Sequence, residues 1–516
     1  MKNLITALLL CLPLSAWSLT VSVYHTSDVH GWYSARPAKW DKENSTRTIG
    51  GFPALAALVK ADKNPYILLD SGDTFQGTPE GTLTRGMATA KLMKQLGYSA
   101  SVVGNHDYDY TEASLRAMIK ESAFPWLGAN VYVKETGAPA DYLQPYTIVK
   151  AGGKRIAVIG VAGEHTVTST LPLNVKHLEF RDAPAAAARL TKELRDAEKA
   201  DAVIVLAHDG LGQPFGLTDM SAWVPTEAQA SSGTLAIARA SRADVVIGGH
   251  IHSALPAGYR DPVSGVLLAE SGSTLTHTSR VTLDFDDKSG KLKATAVELV
   301  PLWTDVTGED KAVAATIKGF NEQVQKEMGK QVSESAVDLG PSKAGLDSDI
   351  GNWFTDAMRR QSGADVAFQN TAGIRSDMKA GKITVRDVFQ VMPFENTLVK
   401  LTLTGEQIRR LMADNTQSEK GFSKLQVSGL TVTFRKPYGD PAGVTLERGG
   451  KPVADTDKFS VATNNYLTTG GTGGRVFNED KSAEDTMLPI RELLMTDIAA
   501  NPVKALPEGG RLIRAD

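Results

Sequence analysis

Five of the nine histidines fall in short blocks that follow apolar runs: Asp28-Val29-His30, Gly104-Asn105-His106-Asp107, Ala207-His208-Asp209 and Gly249-His250-Ile251-His252. Gly72-Asp73 is a fifth block without a histidine. These residue types make up the ligand set of a two-metal phosphoesterase. A carboxylate can bridge two cations, and imidazole and amide oxygen complete shells that borderline ions such as Zn²⁺ or Mn²⁺ accept. Two such ions about 3.5 to 4 Å apart supply a nucleophile at neutral pH and stabilise both oxygens of an in-line displacement at phosphorus. Singly, the blocks carry little, because Asp-x-His and Gly-Asp are ordinary turn sequences. Gly-Asn-His-Asp and Gly-His-x-His are sharper, each placing a glycine where the backbone must turn tightly beside coordinating side chains. All five in this order favour one cluster over five unrelated turns.

The elements that must position these blocks are legible around them. Val21-Ser22-Val23-Tyr24, Tyr66-Ile67-Leu68-Leu69, Ser101-Val102-Val103, Ala202-Val203-Ile204-Val205-Leu206 and Asp244-Val245-Val246-Ile247 have the length and β-branched content of buried strands. Ligands in layered α/β folds converge beyond the carboxyl ends of strands, which lets distant segments meet at one spot. Leu55 to Lys60, Ala88 to Leu96, Glu112 to Ile119 and Ala185 to Ala197 have the apolar spacing of crossover helices. Val281 to Phe285 and Lys291 to Leu299 are expected to close this half as a hairpin. Glu309 to Gln331 reads as a polar helix without strong amphipathy, suited to bridging two domains, with a boundary near residue 335.

On these motifs the chain resembles the bacterial periplasmic 5'-nucleotidases, and the resemblance covers nearly the whole chain after residue 18. It implies an α/β fold: a layered metallophosphoesterase sandwich, with sheets flanked by helices, joined by a helix to a second α/β nucleotidase domain. The expected divisions are a signal peptide over residues 1–18, a calcineurin-like metallophosphoesterase domain over 19–305, a linker helix over 306–335 and a C-terminal, substrate-binding 5'-nucleotidase domain over 336–516. By the same resemblance Asp28, His30 and His252 ligate a first metal, Asp73 bridges, and Asn105, His208 and His250 ligate a second. Some members carry Gln where His252 stands. His106 is implied to contact the phosphate as a cation, oriented by Asp109. Read without the resemblance, Asp109 is a helix N-cap before Thr111-Glu112, and both roles are compatible.

The second half carries Asn370-Thr371-Ala372-Gly373-Ile374-Arg375 after an expected helix (Ile350 to Arg360) and strand (Asp365 to Phe368). The resemblance implies that this motif, including Gly373, holds the nucleotide: Asn370 bonds the base and Arg375 binds phosphate-like oxygens through its fork of donors. Phe394 and Tyr466 are implied to stack the base, worth about 1 to 3 kcal/mol on such rings. Three segments depart from the family pattern: Thr472 stands where an Asp that binds the ribose is usual, Thr371-Ala372 replaces Gly-Gly, and Lys343 stands alone where relatives place arginines. The departures leave the leaving group open.

Met1-Lys2-Asn3, the apolar Leu4 to Leu14 and Ala16-Trp17-Ser18 read as a secretory signal, so a periplasmic or secreted location is expected. The sole cysteine, Cys11, lies in that stretch and lacks the small preceding residue of a lipoprotein, so neither disulfide nor lipid anchor is expected. A formal net charge of -3 with 22% charged residues, and no basic stripe, gives nucleic acid no foothold. No Gly-x-Ser-x-Gly or Walker-type loop occurs, which removes serine-hydrolase and P-loop chemistry. The expected function is release of phosphate from nucleoside 5'-phosphates with two divalent ions (Zn, Mn or Co), extending to sugar-nucleotides or 2',3'-cyclic nucleotides. The alternatives are a related dimetal hydrolase of a sulfur oxoanion carrier and a non-catalytic nucleotide-binding protein. Physiological metal, oligomeric state and extent of domain motion stay open.

Overall fold

The computed structural model describes residues 19–213, 220, 223–340, 346–416, 423–471 and 473–515. Residues 1–18, Lys343 and Thr472, singled out above, lie outside them. No described helix is long and apolar enough to cross a membrane.

The first half is built on two six-stranded sheets laid face to face. One runs in the order Leu292–Pro301, His277–Phe285, Leu19–Thr26, Tyr66–Asp70, Ala100–Val102, Trp126–Leu127. The other runs Tyr259–Arg260, Leu267–Glu270, Val245–Gly248, Ala202–Ala207, Lys154–Val161, Tyr146–Ala151. Strand alternation assigns the layers: Val21, Val23, Ile204 and Leu206 meet between the sheets, whereas Val203 and Val205 point outward under helices. Helices Ala183–Asp196 and Gly233–Ser241 cover that second sheet through Leu190, Leu194 and Leu235. Phe52–Ala61 and Met87–Leu96 cover the first sheet through Leu55, Leu92 and Met93. The expected layered α/β sandwich is the observed one, and the expected hairpin closes it as Leu292–Pro301 against His277–Phe285.

Parallel pairing fixes where the blocks go. Leu19–Thr26, Tyr66–Asp70 and Ala100–Val102 are successive parallel neighbours, as are Lys154–Val161, Ala202–Ala207 and Val245–Gly248. Each trio therefore releases its carboxyl ends at one edge of its own sheet, and contacts of Asp73 with His208 and of Asp28 with the His250 N–H bring the two edges together.

The bridging helix differs from its expectation. It spans Lys311–Met328 and buries Val313, Ile317, Val324 and Met328 along one side. Val313 and Ile317 join the core under Phe52–Ala61, while Val324 and Met328 pack on Phe389 of the second half. It is an amphipathic helix docked to both halves, not a solvated polar bridge. Gln331–Ser335, the end of the stretch assigned to the linker, pairs with Gly381–Thr384.

The second half centres on a five-stranded sheet ordered Leu425–Ser428, Val366–Asn370, Lys458–Asn464, Thr397–Thr404, Glu484–Pro489. Val366 and Phe368 face one apolar layer and Ala367 the other, so both faces are covered. Val366–Asn370 lies parallel to Lys458–Asn464, which sends Asn370 and the Asn465–Thr468 turn out of the same sheet edge.

Candidate functional site

The ligand blocks leave their strands and turn at once, and the turn is made by the ligands themselves. Asp28, His30, Asp73, His250 and His252 all adopt left-handed backbone, with φ of 51°, 49°, 57°, 69° and 58°. Such conformations cost about 1 to 3 kcal/mol each and cluster where side-chain direction matters more than local comfort. Gly104 and Gly249 are not left-handed, contrary to the tight-turn expectation; they are needed for close approach. A Cβ on Gly104 would lie 2.3 Å from Asp73 Oδ1, and one on Gly249 would lie 2.1 Å from Ser27 Oγ.

Two donor groups result. In the first, His30 Nε2 and His252 Nε2 face each other at 3.0 Å, with Asp28 Oδ1 3.9 and 3.6 Å away. In the second, Asn105 Oδ1 lies 3.0 Å from both His208 Nε2 and His250 Nδ1. Asp73 joins them, its Oδ2 lying 3.3 Å from His208 Nε2. The outer contacts fix which atoms face inward. His30 Nδ1 donates to Gln76 O and His208 Nδ1 to Ser71 O, both at 2.6 Å, leaving each Nε2 lone pair toward the cluster. Asn105 Nδ2 donates to Ser169 O at 2.8 Å, so its Oδ1 turns to the imidazoles. Asp28 and His208 are 0% exposed and Asp73 is 1% exposed.

This donor set fits divalent cations. Facing imidazole nitrogens and buried carboxylates have no internal partner that satisfies all of them, and a cation does. Burial drives His30 and His250 well below the ordinary imidazole value and His252 down to about 3, which keeps their lone pairs free. Burial, reinforced by Asp73, pushes Asp28 up to about 7 although His208 opposes it. His208 differs: burial would lower it, but Asp73 beside it raises it to about 10, so the two form a buried ion pair at the centre of the donor set.

His106 lies beside the cluster. Its backbone N–H donates to Asp73 Oδ1 and its Nδ1 to Asp109 Oδ2, both at 2.7 Å. Burial would lower its pKa, but the Asp109 and Asp73 carboxylates outweigh burial and raise it. The helix N-cap is Thr111, whose side chain accepts from Ser114 N–H, so Asp109 is left to His106 and Thr170.

A cavity of about 570 Å³ opens onto this array. Asp73, Asn105, His106, Asp109, His250 and His252 line one side, and Asn370, Gly373, Arg375, Phe394 and Tyr466 the other. Asp28, His30 and His208 sit behind that wall, buried. The Phe394 ring stacks on His106 with centroids 5.5 Å apart, and the Arg375 guanidinium lies 5.9 Å from the Phe394 centroid. Asn370 Oδ1 accepts from Asn464 Nδ2 at 2.9 Å, and Tyr466 donates its hydroxyl to Thr168 O across the cleft. The halves meet again where Gln76 Nε2 donates to Pro393 O at 2.9 Å and Arg386 pairs with Glu80 at 2.7 Å.

Two contributors escaped the sequence. Asp107 accepts from Asp73 N, Thr74 N and Gly104 N at 3.1, 3.1 and 2.8 Å, clamping two ligand loops together. His165 stacks on His250 with centroids 3.6 Å apart. Asp107 was visible in Gly-Asn-His-Asp as a further carboxylate; His165 trails its strand by several residues and belongs to no block.

Comparison with known proteins agrees with this layout. Residues 21–254 match the calcineurin-like phosphoesterase family, and residues 330–479 match the 5'-nucleotidase C-terminal domain. A trifunctional nucleotide phosphoesterase, YfkN of Bacillus subtilis, is 27% identical over 91% of this chain, which spans only 33% of that relative's length. The 5'-nucleotidase of Vibrio vulnificus is 25% identical over 88% of this chain and 85% of its own. A crystal structure of a 5'-nucleotidase precursor from Thermus thermophilus superposes with a TM-score of 0.82 at 27% identity, covering 96% of this chain and 100% of that one.

Proposed function

Because the chain belongs to the family that couples a calcineurin-like phosphoesterase domain to a 5'-nucleotidase C-terminal domain, we propose that it is a metal-dependent phosphoric ester hydrolase releasing phosphate from nucleoside 5'-phosphates. The observation that carries the proposal is the shared cavity, whose walls are the paired donor groups on one side and Asn370, Arg375, Phe394 and Tyr466 on the other. Asp28, His30 and His252 would hold one cation and Asn105, His208 and His250 the other, with Asp73 shared. Bound there, divalent Zn, Mn or Co ions would supply a nucleophile at neutral pH and Lewis-acid stabilisation of the phosphoryl oxygens.

The remaining work falls to side chains. Protonated His106, held by Asp109, places positive charge beside the phosphoryl group as negative charge builds on it. Arg375 offers its planar fork of donors to the same oxygens from the opposite wall. Phe394 and Tyr466 give the base aromatic faces, and Asn370 gives it a polar edge. Closing the two halves over the substrate excludes water and strengthens each of these interactions. The domain division proposed is the one set out from the sequence, with phosphate chemistry before residue 305 and substrate selection after residue 336.

The test is Asp73→Asn, assayed for bound metal and for turnover of AMP, a UDP-sugar and 2',3'-cyclic AMP. Loss of metal from both sites with collapse of turnover is expected, since one carboxylate serves both ions. Full metal occupancy at a near-normal rate would remove the bridge from the proposal. A metal-loaded wild type inert toward every nucleotide would remove the substrate class.

A further inference from the structure

We propose that His165 is an additional nitrogen donor to the cation site formed by Asn105, His208 and His250. The inference rests on the two-cation reading above and adds to it a residue outside the seven assigned ligands. Its position follows from topology: the chain leaves Lys154–Val161, the parallel neighbour of Ala202–Ala207, at the edge from which His208 emerges. Ala162-Gly163-Glu164 then carries His165 back over the cluster.

Three contacts argue for ligation. Donor nitrogens of His165, His208 and His250 lie within 4.8 Å of one another. The His165 and His250 rings stack with centroids 3.6 Å apart at 24°, which holds His165 against a residue assigned to that ion. His165 Nε2 is buried and finds no hydrogen-bond partner among the described residues. Buried ring nitrogens are ordinarily paired, so this one marks the direction of an absent partner. The backbone also makes room for the ring: a Cβ on Gly163 would lie 2.0 Å from His165 Cε1 and 2.6 Å from its Nδ1.

The competing role is mechanical, a flat ring that props His250 and contributes no lone pair. His165→Phe separates the two, because phenylalanine keeps the stack and removes the donor. Mn²⁺ is titrated into the metal-stripped protein with free ion read by electron paramagnetic resonance, and nitrogen coupling is read by its pulsed form. Wild type should bind two equivalents. His165→Phe should hold one equivalent unchanged, bind the other at least about 10- to 100-fold more weakly, since loss of an outer partner alone has that effect, and show one fewer coupled imidazole. His165→Gln keeps polarity and length and should also lose that nitrogen, so the count stands even if the phenylalanine variant folds poorly. If wild type binds two equivalents and both variants match it in affinity and nitrogen count, His165 only stacks and the proposal is overturned. If wild type fails to bind two, the two-cation reading itself fails, a result distinct from the first.

Discussion

At the residue scale, the division of labour between neighbours is the main lesson. Asn105 and His106 are adjacent, yet the first turns its amide oxygen to two imidazoles while the second bonds Asp109. His106→Ala should therefore keep both cations and lower the rate by about 10² to 10⁴, the range of a positioned acid-base or electrostatic group. Metal analysis with a turnover assay checks this, and loss of one equivalent would make His106 a ligand instead. Residue types and order made this part of the site legible, because carboxylate, imidazole and amide in five strand-end blocks have few other uses. The left-handed backbone at Asp28, His30, Asp73, His250 and His252 was not legible. Asp and His tolerate that conformation better than most residues, but the sequence does not say which of them adopt it. His165 was missed for a related reason: its loop returns to the cluster only once the sheets are in place.

At the element scale, strands were legible where β-branched runs gave buried segments such as Ala202–Ala207, and helices where apolar spacing was regular, as in Ala183–Asp196. The Lys311–Met328 helix was misread because its buried positions, Val313, Ile317, Val324 and Met328, are diluted by polar residues. Sheet order was beyond reach, since the antiparallel partner of Leu19–Thr26 lies more than 250 residues away at His277–Phe285. One element contact gives a pH prediction. Asp261, 0% exposed, accepts from Arg239 on the Gly233–Ser241 helix at 3.0 Å and from Ser264 Oγ at 2.7 Å. Burial would raise its carboxyl, but these partners pull it down to about 2. A depressed carboxyl stabilises the fold above its unfolded value, near 4, and that contribution fades as pH falls through about 2. Asp261→Asn should therefore melt below wild type at pH 6, by about 2 kcal/mol, with the gap narrowing toward pH 2. A gap independent of pH in thermal or denaturant unfolding would mean that the carboxylate charge contributes nothing.

At the scale of the molecule, the two halves touch at the site itself, through Gln76 to Pro393, Glu80 to Arg386 and Phe394 on His106. If substrate enters by parting contacts of this kind, opening belongs to the catalytic cycle. Linking Glu80→Cys to Arg386→Cys with a short bis-maleimide, in a Cys11→Ser background, should cut multiple-turnover hydrolysis at least about tenfold, as expected where opening gates turnover. Turnover equal to the unlinked protein would show that the halves need not separate. The stretch from His165 to Thr170 has a further consequence. It stacks on His250, bonds Asn105 through Ser169 O, bonds Asp109 through Thr170 Oγ1, and receives the Tyr466 hydroxyl at Thr168 O. One short piece of chain is thus gripped by the candidate ligand cluster and by the opposite half at once. Thermodynamic reciprocity then applies: the factor by which closure tightens an ion is the factor by which that ion favours closure. If closure tightens them, a cleft filled with nucleotide would hold its ions with a lower dissociation constant than an empty one, so substrate would protect this protein against chelators.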